Sequence, residues 1–356
     1  MDRHKDYFED TDGVVETKRK KRKKTWLIVL FILLAIIVIF LGYLGFLKFK
    51  FNEMIPGRKA GTVEEISNLS SPGELRGESS GDVNILFVGM RSKDMVGAYL
   101  SSAMMVVNLD IRQNKMHLIS IPRDLWLPID SSYGKANTVY KAVVNQPGKY
   151  PENGLPFVKK TFSDSLGIDI NYIMVCDFDS FQKIIDNIGK VSVAMSEKEA
   201  AGYPFLKLEL FKDSKDKSDP TLYHLTGEQS LVFVRWPEDA VPDFDRLRRM
   251  QLYLTSFTKQ YVRVSTALRP AKNNEILNIA GDNIKIDMQL WEINKIVSIL
   301  GKVPADNIAQ HKLTTDVNTD GGLLRQSNYS GTTYNPIAGD SDFTDIYKWT
   351  KEIISK

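Results

Sequence analysis

The sequence predicts an α/β domain in which helices cover a mixed central sheet, preceded by one N-terminal transmembrane helix. Two observations lead to this fold class. Residues 26–47 form an apolar run without charge or proline, and from Asp82 onward apolar segments of strand length alternate with segments of helical period. The predicted organisation is a basic cytoplasmic tail (1–24), a transmembrane helix (25–47), an extracytoplasmic linker (48–81), the α/β domain (82–330) and a C-terminal segment packed on or following it (331–356).

The apolar run has the length of a membrane span. At about 1.5 Å per residue it matches the roughly 30 Å hydrocarbon core of a bilayer. Residues 18–24 are consecutive lysines and arginines directly before it. The positive-inside rule therefore predicts a single-pass protein of the cell membrane, with the lipid bilayer as a partner, a cytoplasmic N-terminus and an extracytoplasmic C-terminal domain.

Three other interpretations apply to a basic block followed by an apolar run. A cleaved signal peptide is disfavoured because no small-residue cleavage pattern follows the run. A buried core helix would leave the adjacent cations without solvent. A nucleic-acid-binding patch is a further alternative, but a basic block directly against a membrane span is more simply an orientation signal.

Composition excludes several classes of function for the domain. The net charge is +3, and most of the basic excess lies in the tail, so nucleic acid is not an expected partner. Cys176 is the one cysteine, so no internal disulfide forms. The four histidines are far apart in sequence, which predicts no metal site built on histidine or cysteine.

The strands and helices follow from periodicity. Residues 84–89, 103–109 and 115–121 are nearly continuous apolar runs, which predict strands covered on both faces. Residues 179–189, 246–263 and 287–300 have helical spacing of apolar side chains.

Arginines follow one of these strands and occupy one of these helices. Arg123 comes after the third strand, at the end of a sheet where ligands of α/β proteins bind. Arg246 and Arg249 are three residues apart and share a helix face, and Arg235 lies shortly before them. Converging guanidiniums suit an anion with many oxygens, such as pyrophosphate. The alternative is that these arginines form surface salt bridges with acidic neighbours, namely Glu238, Asp239, Asp243 and Asp245.

An ordered set of short segments resembles the LytR-CpsA-Psr family of membrane-anchored cell-envelope proteins. The matching segments are residues 84–89 (NILFVG), 101–108 (SSAMMVVN), 118–124 (LISIPRD), 134–137 (GKAN), 175–181 (VCDFDSF), 225–235 (LTGEQSLVFVR) and 243–251 (DFDRLRRMQ). They occur in the family's order, after the expected anchor.

This resemblance implies a phosphotransferase that moves a glycan polymer from a polyprenyl pyrophosphate carrier to the cell wall. The implied partners are the polyprenyl-linked glycan and peptidoglycan. Asp124 and Arg123 are the implied catalytic residues, and the implied pyrophosphate ligands are Arg123, Lys135, Arg235, Arg246, Arg249 and Arg91. Two alternatives stay open: a catalytically degenerate domain that binds polyprenyl phosphate or envelope glycan as a scaffold or sensor, and a transcriptional attenuator, as older family names suggest.

The chain departs from the family pattern where the resemblance implies magnesium ligands. Family members carry an aspartate after the first strand and a second one at the start of the next strand. This chain has Arg91 and Ser102 at those positions, and Pro237 replaces a second arginine after Arg235. Because magnesium needs hard oxygen ligands, the sequence predicts no metal ligands and assigns the place of the cation to Arg91.

Overall fold

The computed structural model describes residues 73–150, 154–216, 220–236, 244–262, 284–327 and 333–356. The transmembrane helix predicted at 25–47 lies outside these residues. Within the ranges given, no helix combines the length and the apolar character that crossing a membrane requires.

A mixed six-stranded sheet forms the centre of the fold, as predicted. The strands are β1 Asp82–Met90, β2 Ser101–Asp110, β3 Lys115–Ser120, β4 Trp126–Ile129, β5 Ser132–Lys135, β6 Tyr172–Asp177, β7 Val191–Met195, β8 Thr221–Leu225, β9 Ile284–Ile286, β10 Ile308–Lys312, β11 Leu324–Gln326 and β12 Tyr334–Pro336. The strand order in the central sheet is β10-β3-β2-β1-β6-β9. β1 pairs antiparallel with β2 and parallel with β6, and β3 pairs antiparallel with β2 and parallel with β10. Three two-stranded sheets, β4-β5, β7-β8 and β11-β12, accompany it.

The predicted burial of the first strands on both faces is confirmed. In β2 and β3 almost every residue is buried, because helices and loops cover both sides of the sheet. β7 and β8 instead alternate between buried and half-buried residues, which is typical of strands with one covered face. Their apolar side chains form a second core with Phe205, Phe211 and Phe233.

The helices are α1 Val139–Val144, α2 Leu155–Leu166, α3 Phe178–Ile188, α4 Glu197–Ala201, α5 Gly227–Arg235, α6 Phe244–Phe257, α7 Leu290–Lys302 and α8 Thr344–Ile354. The helix predicted from residue 179 begins one residue earlier, because the Asp177 carboxylate accepts a hydrogen bond from Ser180 N at 2.9 Å and thereby caps α3. Ser196 and Glu199 form a capping box at the start of α4.

Both ends of the described chain pack on the main core. Leu75 is buried in it, ahead of β1, and the guanidinium of Arg76 lies 4.0 Å above the centre of the Tyr172 ring. Ile346, Trp349 and Ile353 of α8 belong to the same core. Tyr334 N donates to the Asp124 carbonyl at 3.0 Å, so the C-terminal segment also supports the loop after β3.

A buried histidine on β3 predicts a stability that depends on pH. His117 Nδ1 lies 3.2 Å from His311 Nε2. Burial first, and then repulsion from His311 and Lys115, lowers the pKa of His117 from 6.5 to about 4, although Asp110 acts in the opposite direction. A lowered pKa means that protonation favours the unfolded chain. The contribution of neutral His117 to the free energy of unfolding is therefore complete above pH 6.5 and is lost as the pH falls towards 4.

We expect the free energy of unfolding to fall by up to about 3 kcal/mol over this pH range through His117. The measurement is denaturant unfolding as a function of pH. His117→Gln should flatten the pH dependence, whereas His224→Gln, at a side chain that is 39% exposed, should leave it unchanged. An equal pH dependence in the wild type and in His117→Gln would contradict the assignment.

Candidate anion site at the sheet edge

The topology brings several candidate residues to one edge of the sheet. β1, β3 and β6 run in the same direction, and β2 runs against them. The carboxyl ends of β1, β3 and β6 therefore meet the beginning of β2 at a common edge, which is where open α/β sheets bind their ligands. Arg91 follows β1, Ser102 begins β2, Arg123 follows β3 and Phe178 follows β6.

Three guanidiniums converge at this edge. Burial first, and then repulsion from Arg91 and from Arg246, lowers the pKa of Arg235 below its usual value. The guanidiniums of Arg91 and Arg246 therefore lie within electrostatic range of that of Arg235. Neither Arg91 nor Arg235 forms an ion pair with any residue that the structure describes. The arrangement is therefore a concentration of positive charge, which attracts a polyanion.

Backbone carbonyls and an aromatic ring hold these arginines. Arg246, which is only 6% exposed, donates to the Ser102 carbonyl, and Arg91 Nη1 donates to the Val96 carbonyl at 2.7 Å. The guanidinium of Arg235 lies 4.3 Å above the centre of the Phe178 ring. A neutral acceptor orients Arg91 and a π-face orients Arg235, and neither partner neutralises the cation it holds.

A second polar group surrounds the carboxylate of Asp124, which is 5% exposed. Lys135 Nζ donates to its Oδ1 at 2.8 Å, and Arg123 Nε donates to its Oδ2 at 3.2 Å. The backbone fixes this group, since Asn137 N donates to the Arg123 carbonyl at 2.9 Å. Asp124 thus orients two cations that are each about one third exposed.

The arginines and the residues around Asp124 lie at the same end of the β2–β3 pair. The contact between the two strands continues one residue beyond the end of β3. Ile121 N donates to the Met104 carbonyl at 3.0 Å. Two residues beyond this hydrogen bond lie Arg123 on one segment and Ser102 on the other. Arg123 and Asp124 therefore follow β3 at the same end of the sheet at which Ser102 begins β2.

Arg249 does not join the other arginines. Its Nε donates to the Phe233 carbonyl at 2.8 Å, its Nη2 donates to the Trp236 carbonyl at 2.7 Å, and its Nη1 pairs with Asp245. With 1% exposure it lies among the aromatic rings of the second core. Asp245 is one of the acidic neighbours named in the salt-bridge alternative, but the pair is buried at Arg249 and is not a surface salt bridge. The predicted contact of Arg249 with pyrophosphate stays a prediction that this position does not favour.

An apolar cavity of about 290 Å³ lies beside the arginines. Strands and helices of the central layer line it, and nearly all of its surface is apolar. Gly89 of β1 pairs with Ala103 of β2, and these two small residues leave space for the cavity. The ring of Phe178 lines the cavity and also lies beneath the Arg235 guanidinium, so the cavity opens next to the positive charge.

Sequence reasoning missed this cavity. Its lining comes from segments between Phe87 and Ile284, and each of them has the periodicity of an ordinary core element. The one local signal is the small pair Gly89 and Ala103, whose register could not be read from the sequence.

The fold and the site together define a class: an α/β domain with a cationic edge that adjoins an apolar cavity, suited to an amphiphile with an anionic head. Comparison with known proteins identifies the family. The model of the LytR_cpsA_psr family matches residues 54–337, and the chain belongs to this family, which confirms the resemblance noted in the sequence.

Similar proteins carry several names. The regulatory protein MsrR of Staphylococcus aureus (strain COL) is 26% identical over 256 residues, with 70% of this chain and 71% of MsrR covered. The polyisoprenyl-teichoic acid–peptidoglycan teichoic acid transferase TagU of Bacillus mycoides is 27% identical over 200 residues, covering 55% of this chain and 58% of TagU. TagV of Bacillus subtilis, a transferase of the same name, is 27% identical over 213 residues, covering 59% of this chain and 50% of TagV.

Solved structures have the same fold. The crystal structure of B. subtilis TagV superimposes with a TM-score of 0.54 at 23% identity and covers 77% of this chain and 97% of TagV. TagT bound to LI-WTA superimposes with a TM-score of 0.54 at 16% identity, covering 85% of this chain and 97% of TagT.

The different surroundings of two adjacent arginines lead to a prediction about stability. We expect Arg249→Ala to lower the free energy of unfolding by about 3 to 5 kcal/mol, because it leaves the Phe233 and Trp236 carbonyls and Asp245 without this buried donor. Arg248, which is 43% exposed and pairs with Glu199, is the matched control. Arg248→Ala should cost less than about 1 kcal/mol. Equal losses in denaturant unfolding would show that Arg249 is not a structural residue.

Proposed function

We propose that this chain binds a polyisoprenyl pyrophosphate-linked glycan and transfers the glycan to the cell wall, as a phosphotransferase of the LytR-CpsA-Psr type. The observation that carries the proposal is the position of Phe178, whose ring lies in the wall of the apolar cavity and also beneath the Arg235 guanidinium. A ligand that uses both features needs an apolar chain attached directly to a polyanion.

The head group binds to the arginines. Arg91, Arg235 and Arg246 supply the positive charge for the diphosphate, and charge-assisted hydrogen bonds from guanidiniums suit its oxygens. Arg123 and Lys135, oriented by Asp124, contact the phosphate that bears the glycan. Arg249 holds α6 in place from the second core.

The lipid chain occupies the cavity. Its first isoprene units bury apolar surface against residues such as Phe181, Leu254 and Phe257, and burial of each methylene contributes about 0.8 kcal/mol. The rest of the chain stays in the bilayer. Affinity then requires both parts of the ligand, which discriminates against soluble phosphates and against neutral lipids.

In the transfer step, an acceptor hydroxyl oxygen on peptidoglycan bonds to the phosphorus that bears the glycan. The bond from this phosphorus to the bridging oxygen breaks, and polyprenyl phosphate leaves. The hydroxyl proton passes to a base, for which Asp124 is the candidate. The arginines stabilise the charge that gathers on the phosphoryl oxygens and on the leaving phosphate.

The names of the relatives support this substrate class, since TagU and TagV are transferases of teichoic acid from a polyisoprenyl carrier to peptidoglycan. The acceptor and the carrier are inferred for this chain from that similarity, together with its own cationic edge and apolar cavity.

A second candidate function is binding without turnover, as a scaffold or sensor. The observation that favours it is the double pairing of Asp124 with Lys135 and Arg123, because each carboxylate oxygen already accepts a hydrogen bond from one of these cations. Release of polyprenyl phosphate from a labelled glycan donor in the presence of peptidoglycan distinguishes the candidates: release supports transfer, and stable binding without release supports the second function.

The cavity assignment predicts how affinity depends on chain length. In the wild type, the affinity for polyprenyl diphosphates should rise about fourfold per added methylene until the cavity is filled. Ala103→Leu extends a larger side chain into the cavity and should abolish this rise, while leaving the affinity for inorganic pyrophosphate unchanged.

Isothermal titration of a series of short-chain diphosphates measures the effect. The matched control is Met104→Leu, at the neighbouring residue of β2, which does not line the cavity. A dependence on chain length that survives in Ala103→Leu would contradict the proposed position of the lipid.

We also propose that residues 25–47 anchor the chain in the cell membrane, with the tail of residues 1–24 inside and the domain outside. Support comes from the uncharged run and from the cations before it. A site at the membrane surface is what a membrane-embedded carrier requires. Protease added to intact cells should digest the domain and spare the tail, and a domain that resists digestion while the tail is cut would reverse this topology.

A further inference from the structure

We propose that Arg91 occupies the place of a divalent cation in this site, so that the chain binds its diphosphate without metal. The inference rests on the proposed function and adds to it how the charge of the head group is neutralised. It depends on the way Arg91 is held, on the charges around it and on the donors that the site offers.

The loop after β1 is built around the Arg91 side chain. Arg91 N donates to the Leu100 carbonyl at 3.0 Å, and Tyr99 N donates to the Arg91 carbonyl at 3.1 Å, so the loop closes on this residue. Gly97 has a φ of +75°, and a Cβ there would lie 2.8 Å from Arg91 Nη1. The loop therefore needs glycine at this position in order to pack against the guanidinium.

The guanidinium of Arg91 has unused capacity for hydrogen bonds. Its Nη1 donates to the Val96 carbonyl, but its buried Nε has no acceptor among the described residues. A buried N–H without a partner costs about 1 to 3 kcal/mol. An oxygen of a bound diphosphate would remove this cost.

The charges around Arg91 favour an anion and oppose a cation. Arg235 and Arg246 are near enough to repel each other's charge, and a divalent cation among them would be repelled by all three arginines. An arginine in place of an aspartate changes the charge of the site by +2, which equals the charge of Mg²⁺. The protein can thus supply from its own side chains the charge that an ion would bring.

The carboxylates at this edge do not form a magnesium site. The resemblance to the family implies aspartates at the positions of Arg91 and Ser102, and neither residue here has a carboxylate. Asp124 is held by Lys135 and Arg123, and Asp177 caps α3. In the described part of the chain, no group of three or more acidic, histidine or cysteine residues is arranged around a metal position. The donors that the described residues place at this edge do not fit a magnesium ion.

With Arg91 in the place of a metal ion, the binding of the diphosphate is separate from the activation of the acceptor hydroxyl. An arginine neutralises phosphate charge and chelates oxygens, but it does not lower the pKa of a bound hydroxyl as a metal ion does. We therefore expect binding to be independent of metal, and the acceptor hydroxyl to depend on a side chain for its activation.

The test is isothermal titration of farnesyl diphosphate into the full-length protein in detergent micelles, first with excess EDTA and then with Mg²⁺. For the wild type we expect affinities within about threefold of each other in the two conditions. Arg91→Asp should lose more than about tenfold in EDTA and regain affinity when Mg²⁺ is added, because it restores a carboxylate ligand. Arg91→Lys should keep metal-independent binding with a weaker affinity.

Arg112→Asp is the matched control, because Arg112 is an exposed arginine beyond the opposite end of β2. It should behave like the wild type in both conditions. A wild-type affinity that collapses in EDTA and returns with Mg²⁺ would overturn the inference and leave the proposed function intact. An absence of binding in both conditions would contradict the proposed function itself. The wild-type titrations need no variant, so they decide the matter even if Arg91→Asp does not fold.

Discussion

Repulsion among Arg91, Arg235 and Arg246 is the constraint on which the rest of the site depends. Three guanidiniums at one sheet edge are unfavourable unless the fold holds them or a ligand neutralises them. The fold holds them through the Ser102 and Val96 carbonyls and through the ring of Phe178. The Val96 carbonyl and the Phe178 ring carry no charge, so the positive charges of Arg91 and Arg235 remain available to an anion. Part of the free energy of folding offsets the repulsion among these arginines. Only a bound anion relieves that repulsion fully.

The sheet topology makes this arrangement possible. β1, β3 and β6 end where β2 begins, so residues that are distant in sequence reach one edge. The same packing leaves the apolar cavity between the sheet and the helices α3, α5 and α6. The cavity and the cations share Phe178, which means that the anionic head and the apolar chain of one ligand can be bound by a single continuous surface.

Much of the sheet could be predicted because continuous apolar runs have one simple explanation, burial on both faces. The contacts of the site residues could not be predicted in the same way. Arg246 and Arg249 share a helix face, as their spacing requires, yet Arg246 reaches the Ser102 carbonyl whereas Arg249 enters the second core. The difference is set by Tyr203 and Phe205, which lie above Arg249 and come from a distant segment. Helical spacing gives the direction of a side chain but not the identity of what it meets. The cavity could not be predicted for the same reason, because its lining side chains come from segments that are distant in sequence.

The most direct measurement is a crystal structure of the protein with a short-chain polyprenyl diphosphate, grown with Mn²⁺ so that anomalous scattering reveals any bound divalent cation. The account predicts a diphosphate in contact with Arg91, Arg235 and Arg246, a chain that enters the cavity past Phe178, and no anomalous peak beside the phosphates. A manganese ion bridging the phosphates and protein carboxylates, or a diphosphate bound away from these arginines, would contradict it.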